Sequence, residues 1–298
     1  MNNILYTLLC AWVRIHAWLP FGLLYVLSDI GYVLVYKIAG YRLRVTRRNL
    51  EAAFPGKTPR ERRLIERRFY RHFVDYIVET VKLAHISEAE IQRRARMTNP
   101  ELIDRLVDRG HTCILILLGH YGNWEWFTAG NSFFASAVMY PIYRPLSNKA
   151  FDRLFIDLRA RFGAVGIRKA DTVRDLIRLK QEQTPALAVF LADQTPSLAN
   201  LHYWTRFLGL ETAMLTGPER LARKLNLPVV YADVRKPGRG YYEVEFKLLT
   251  DAPQQSPAFA LTEAYARLME QTILRDPAYW LWTHKRWKHK REDTPCKK

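Results

Sequence analysis

Hydrophobic and polar positions divide the chain into an apolar opening and a long body in which two periodicities alternate. Residues 4–38 are dense in Leu, Ile, Val, Trp and Tyr, interrupted by Arg14, Asp29 and Lys37. The longest uncharged piece, residues 15–28, is short of the roughly 20 apolar residues that a single bilayer-crossing helix needs, and Pro20 breaks it. It lacks the short basic region and small-residue cleavage site of a secretory signal. Two readings follow: a membrane anchor, either a tilted span with Arg14 snorkelling or two helices lying in the interface, and a buried helical hairpin capping the domain. Trp12, Trp18, Tyr25, Tyr32 and Tyr36 suit an interfacial belt and favour the anchor. Arg42, Arg44, Arg47 and Arg48 follow at once, and by the positive-inside rule they place the rest of the chain in the cytoplasm.

Beyond this segment, Ile65, Phe69, Phe73, Tyr76, Ile77 and Val81 recur at spacings of three and four, which predicts an amphipathic helix over 59–84 with a basic first half. A shorter helix is expected over 100–109. The period then changes. Residues 112–118 (TCILILL) form an apolar run too short for a helix and bounded by glycines, the pattern of a buried strand. Helices are expected over 123–133, 147–162, 171–182, 217–226 and 257–275. Strands are expected over 136–142, near 165–168, and over 186–192, 228–236 and 240–249. The last two read as an antiparallel edge hairpin turning across Pro237, Gly238 and Arg239. Such alternation predicts an α/β single domain with a mostly parallel central sheet flanked by helices. The expected division is 1–40 as a hydrophobic membrane-anchoring segment, 41–290 as the main domain, and 291–298 as a basic disordered tail.

Composition narrows the partners. With 49% hydrophobic and 25% charged residues, the 298-residue chain can bury a sizeable core. Its 46 Lys+Arg exceed 29 Asp+Glu, giving a net charge of +17 that attracts nucleic acid, an anionic membrane or an acidic protein. Cys10, Cys113 and Cys296 are far apart and form no C-x-x-C, so neither a disulfide framework nor a zinc site is expected. The histidines outside position 120 pair with no third ligand, so no metal is expected. There is no glycine-rich phosphate loop and no G-x-S-x-G elbow.

In open α/β sheets ligands bind beyond the carboxyl ends of strands. The residues after the first strand read GHYGNWEW, from Gly119 to Trp126. His120 leaves the strand, Gly122 permits a tight turn, and Asn123 can cap the next helix. Glu125 falls in that helix's first turn, where it can fold back on His120. A carboxylate on one imidazole nitrogen leaves the other free as a base, and the helix amino terminus offers N–H groups to a developing oxyanion. Taken bare, H-x-x-x-x-E is more often structural than catalytic; its position at a strand end favours chemistry.

GHYGNWEW resembles the H-x4-D/E motif of the lysophospholipid acyltransferase superfamily, and more closely its bacterial lipid A biosynthesis (late, or secondary) acyltransferase branch. The resemblance continues through YRLRVTRRNLEAAFP, IYRPLSNKAFDRLFIDLRARFG, LADQTP, LTGPERLARKLNLPVV and YWLWTHKRWK, and covers nearly the whole chain. It implies a lysophospholipid acyltransferase-like fold, an acyl donor on acyl carrier protein, a lipid A precursor or other glycolipid as acceptor, no cofactor, no metal and no acyl-enzyme. His120 would act as general base, with Glu125 orienting it. Glycerolipid acyltransferases usually carry Asp at the second motif position and a P-E-G-T-R-like block later; Glu125 and Gly217-Pro218-Glu219-Arg220 depart from this and favour the lipid A branch.

Arg144, after the second strand, reads either as a substrate phosphate ligand or as a surface arginine. Arg159 and Arg161 lie two apart on a helix, so at most one reaches the site. Asp193 and Gln194 end a strand at the ligand edge, to shape the site or position His120, with turn-capping by Asp193 as the alternative. Glu219 and Arg220 open a helix and are candidate substrate ligands, although the helix dipole alone would favour an acid there. Lys285, Arg286 and Lys288 are expected either to face lipid phosphates or the carrier protein, or to form a solvated tail. The expected location is the cytoplasmic face of an inner membrane. Rival acceptors are a phospholipid, an aminolipid or a phosphatidylinositol mannoside. Rivals of another class are a catalytically dead membrane scaffold and a basic nucleic-acid-binding module, the latter lacking any recognised motif.

Overall fold

The structure, a computed structural model, describes residues 2–128, 130–134 and 137–294. Two apolar helices come first, α1 (Asn2–Trp18) and α2 (Phe21–Tyr32), broken at Pro20; α2 runs on through a π-helical turn, Val33–Ile38. Next are α3 (Leu43–Ala53) and α4 (Pro59–Lys82). The start of α4 is set by a capping box, in which Thr58 and Glu61 satisfy each other's backbone amides ahead of Pro59. After α5 (Glu88–Arg94), β1 (Ala95–Met97) and α6 (Glu101–Asp108), strands and helices alternate. They are β2 (Cys113–Leu118), α7 (Trp124–Thr128), β3 (Val138–Tyr143), α8 (Lys149–Ala160), β4 (Ile167–Arg168), α9 (Thr172–Gln181) and β5 (Ala186–Leu191). A hairpin, β6 (Trp204–Phe207) and β7 (Leu210–Ala213), precedes α10 (Gly217–Leu225), β8 (Val229–Gly238), β9 (Tyr241–Thr250) and α11 (Ala260–Arg275).

Seven strands form one sheet in the order β1-β9-β8-β2-β5-β3-β4. The run β8-β2-β5-β3-β4 is parallel, β9 is antiparallel to β8, and β1 is parallel to β9. This is the mostly parallel α/β domain that the alternation predicts. β2 lies in the middle with every residue buried, which explains its unbroken apolar run: a strand covered on both faces has no solvent side to make polar. The β8–β9 hairpin turns at Arg239–Gly240, one residue later than expected, where Gly240 adopts φ +72°.

The predicted helix over 123–133 is shorter than its pattern suggests, ending at Thr128 before a 3-10 turn at Gly130–Phe133. Helices α3 and α5, strand β1 and the β6–β7 hairpin are elements not expected from the sequence; of these, α3 buries Thr46, Asn49, Leu50 and Ala53, at helical spacing. The amino-terminal pair fits neither a fully buried hairpin nor a free span. Val13, Ala17, Leu24, Ser28, Tyr32 and Tyr36 are buried against the domain, whereas Leu8, Trp12, Ile15, Val26, Ile30 and Leu34 are exposed. The Trp-rich end is core rather than tail: Trp280, Trp282 and Arg286 are each at most 2% exposed. Within the segment expected to be disordered, Arg291–Asp293 forms a 3-10 turn, and residues 295–298, with Cys296, lie outside the described residues.

Gly119 follows β2 where a Cβ would overlap the Met269 sulfur of α11. Gly119→Ala should therefore lower unfolding stability by about 1–3 kcal/mol through overpacking, read by urea titration.

Candidate active site

His120 and Asp193 each stand two residues beyond a pair of partners in adjacent parallel strands, Leu118 of β2 and Leu191 of β5. The sheet register thus carries both side chains to the same edge. His120 Nδ1 lies 2.6 Å from Asp193 Oδ1, and the other carboxylate oxygen accepts from the His120 amide at 3.0 Å and from Trp280 Nε1 at 2.7 Å. Burial opposes ionisation of Asp193, but the imidazole and these donors outweigh it and hold the carboxyl down at about 2. An ionised Asp193 on Nδ1 requires that nitrogen to carry the proton, which leaves Nε2 as the basic nitrogen. Gln194 Nε2 lies 3.1 Å from it. The His120 ring meets Trp124 edge-on, and Trp124 stacks on Tyr76, so the ring has an aromatic wall on one side.

Behind the pair, the C-terminal segment closes the site. Tyr121 and Trp280 form an isolated β-bridge, and the Leu281 amide donates to His120 O at 3.1 Å. Arg286 anchors this segment to β7, donating through Nη2 to Ala213 O at 2.8 Å; burial lowers its pKa to about 10. The expectation that Arg286 faces a ligand is therefore corrected: its guanidinium is a buried strut. His284 and His72 are both pushed down by burial, His284 to about 4, so neither competes with His120 as the imidazole facing the groove.

The carboxylate bonded to His120 is Asp193, not Glu125, which corrects the reading of the motif. Glu125 is buried in the short α7, and its carboxylate is gripped on both oxygens by Arg159 of α8, at 2.7 and 2.8 Å. A buried acid needs donors for its oxygens, and the bidentate guanidinium supplies two charged ones that an imidazole cannot match. Burial works against the Arg159 cation, yet Glu125 raises its pKa. Only Arg159 of the two candidate arginines reaches the site; Arg161 caps Leu83 O and Ile86 O. Asn123 caps α7 as expected, but its Oδ1 occupies the Trp126 amide, one of the N–H groups proposed for an oxyanion.

His120 opens onto a groove of about 950 Å³. Its walls include Leu118, Ile142, Phe155, Val189, Leu191 and Leu221, and its lip carries Arg144, Lys169, Arg220, Lys224 and Lys288. Arg144, Arg159, Gln194 and Arg220 all line this groove. Glu219 does not: successive residues on a helix point about 100° apart, and its carboxylate turns inward to accept from the Thr262 amide at 2.8 Å and hydroxyl at 2.5 Å. Sequence reading missed Trp280, whose indole N–H completes the Asp193 site and which no local pattern marks. It also missed Lys224, one helical turn beyond Arg220 and detectable by that spacing. Among the described residues no cluster of His, Cys, Asp and Glu has the makings of a metal site.

A half-buried histidine bonded to a buried aspartate thus stands at a groove with apolar walls and cationic side chains around it. A family model described as bacterial lipid A biosynthesis acyltransferase matches residues 2–289, so the chain belongs to that family and is an acyltransferase. It is similar to the lipid A biosynthesis lauroyltransferase of Escherichia coli (strain K12), at 24% identity over 297 residues, covering 94% of this chain and 94% of that protein.

Two outcomes follow from these pairings. Glu125→Ala strands the Arg159 cation and should cost about 3–5 kcal/mol, most of it recovered by adding Arg159→Leu, measured by chemical denaturation of the single and double variants. Asp193 has a folded pKa below its unfolded one, so its contribution is complete above pH ~4 and disappears as pH falls through ~2. The stability gap between wild type and Asp193→Asn should narrow by about 2 kcal/mol between pH ~5 and ~2 in urea titrations.

Proposed function

We propose that the enzyme transfers an acyl chain from an acyl carrier protein thioester to a hydroxyl of a lipid A precursor, with His120 as general base. The observation that carries this is the short Nδ1 contact to Asp193, which leaves Nε2, beside Gln194 at the groove, as the nitrogen available to a substrate hydroxyl. The acceptor hydroxyl replaces Gln194 at Nε2 and gives up its proton there as its oxygen attacks the thioester carbonyl. The tetrahedral intermediate then expels the thiolate, which takes the proton from the imidazolium. No acyl-enzyme forms. Asp193 is a positioning residue that fixes the tautomer and supports the imidazolium. Glu125 acts through Arg159: two of its donors are spent on Glu125, and Nη1 has no hydrogen bond among the described residues, so it is free to face the oxyanion or a substrate phosphate. The apolar walls hold the acyl chain and the cationic lip faces the acceptor's phosphates.

The family supports lipid A as the acceptor class, and the exposed apolar faces of α1 and α2 support attachment to the cytoplasmic face of the inner membrane, with residues 1–40 as anchor. Phe21–Ile38 is long and apolar enough to cross a membrane by length and composition. Its inner face, however, is fastened lengthwise to the domain by Tyr25 to Glu79 at 3.1 Å, Ser28 to Asp75 at 2.6 Å and Tyr36 to Glu66 at 2.6 Å. A span would drag those carboxylates of α4 into hydrocarbon, so the helices lie in the interface with Leu8, Trp12, Ile15, Val26, Ile30 and Leu34 immersed.

Purified enzyme carrying His120→Ala should lose about 10³-fold or more in kcat, and Asp193→Asn should lose about 10²–10⁴-fold with little change in KM. In cells, lipid A from a strain lacking the gene should be lighter by one acyl chain in the mass spectrum, a loss that His120→Ala fails to repair. An unchanged lipid A spectrum would rule out this acceptor.

A further inference from the structure

A second hollow, of about 730 Å³, lies along α10 from Thr216 to Lys224 and shares Arg220 and Lys224 with the catalytic groove. Arg223 lines this hollow but not the groove. Residues 220, 223 and 224 are spaced by three and four, so one helix face presents three cations to one space. None of the three forms an ion pair among the described residues, unlike the cation of the neighbouring groove, Arg159, which is paired with Glu125. The acid among the lining residues, Glu219, forms no ion pair with them among the described residues; its Oε2 accepts from the Thr262 amide and hydroxyl instead, so cations outnumber acids around the hollow by three to one. Phe259 lines the same hollow and is stacked on Tyr203 with ring centroids 4.9 Å apart. Phe259 adopts φ +66°, a left-handed backbone that a bulky residue rarely accepts and that is held where the surroundings demand it.

Three cations without ion pairs and an aromatic ring lining one hollow suit an anion carried on an organic body, a phosphate ester rather than a free carboxylate or a bare acyl chain. We propose that this hollow is a phosphate-ester subsite that holds one substrate while its reacting end lies at His120, the shared Arg220 and Lys224 marking where the ligand passes from hollow to groove. The inference rests on the acyl-transfer reading, which supplies two substrates with this chemistry: the phosphopantetheine arm of the thioester donor and the sugar phosphate of the acceptor.

Arg223 makes the test clean, because it touches the hollow alone. In steady-state assays of the full-length enzyme in mixed micelles, Arg223→Glu should raise KM for one substrate about tenfold or more with kcat unchanged, and Arg223→Lys should restore it. A rise confined to the donor assigns the phosphopantetheine arm, and a rise confined to the acceptor assigns the sugar phosphate. KM values for both substrates that match wild type, or a fall in kcat alone, would overturn the subsite. Should wild type transfer no acyl group between these substrates, the proposed function fails instead. The subsite is then read by calorimetric binding of 4′-phosphopantetheine and of glucosamine 1-phosphate: salt-sensitive binding of either that Arg223→Glu abolishes supports it, and no binding of either refutes it.

Discussion

The contact between His120 and Asp193 organises the architecture around it. Asp193 is an almost fully buried carboxylate, and such a group is tolerable only when its oxygens are filled by donors. Its three donors come from two places in the chain: the imidazole and amide of His120 after β2, and the indole of Trp280 near the C-terminus. The loops after β2 and β5 and the C-terminal segment must therefore meet at one point for the domain to close. One contact satisfies the acid and orients the imidazole, since an ionised Asp193 selects the tautomer with its proton on Nδ1 and leaves the Nε2 lone pair toward the groove.

Charge is partitioned with the same economy around the groove. Glu125 and Arg159 neutralise each other in a buried bidentate pair, a strong arrangement when both partners are present and a costly one when either is missing. Around the groove and the hollow beyond it, Arg144, Lys169, Arg220, Arg223, Lys224 and Lys288 stand outside such pairs among the described residues, where water or an incoming anion can solvate them. The net charge of +17 is thus not spread evenly in its consequences. Part of it stiffens the catalytic frame, and part stands unneutralised where phosphates are expected.

The amino-terminal helices reverse the usual arrangement of an amphipathic helix on a domain. Their polar groups, Tyr25, Ser28 and Tyr36, point inward to acids of α4, while much of the apolar surface points out. That inversion makes sense when the outer medium is apolar, and it keeps the helices parallel to the domain surface along their length.

Much of this was legible along the chain. The apolar run of β2, the strand–helix alternation, the Asn123 cap and the position of His120 at a strand end all follow from local periodicity and turn chemistry, which short stretches encode by themselves. The partner of His120 was not legible in the same way. Glu125 is five residues away and sits in a suggestive motif, whereas Asp193 is 73 residues away in sequence. What brings Asp193 to the histidine is the placement of β5 directly beside β2 and a register that matches Leu118 with Leu191. Trp280 and the Glu125–Arg159 pair were hidden for the same reason. The sequence by itself determined which elements form, that they build a mostly parallel sheet, and which histidine stands at its edge, because these depend on neighbours within a few residues. Only the tertiary structure decided which carboxylate serves that histidine, because buried charges choose partners by proximity in the folded sheet and not by distance along the chain.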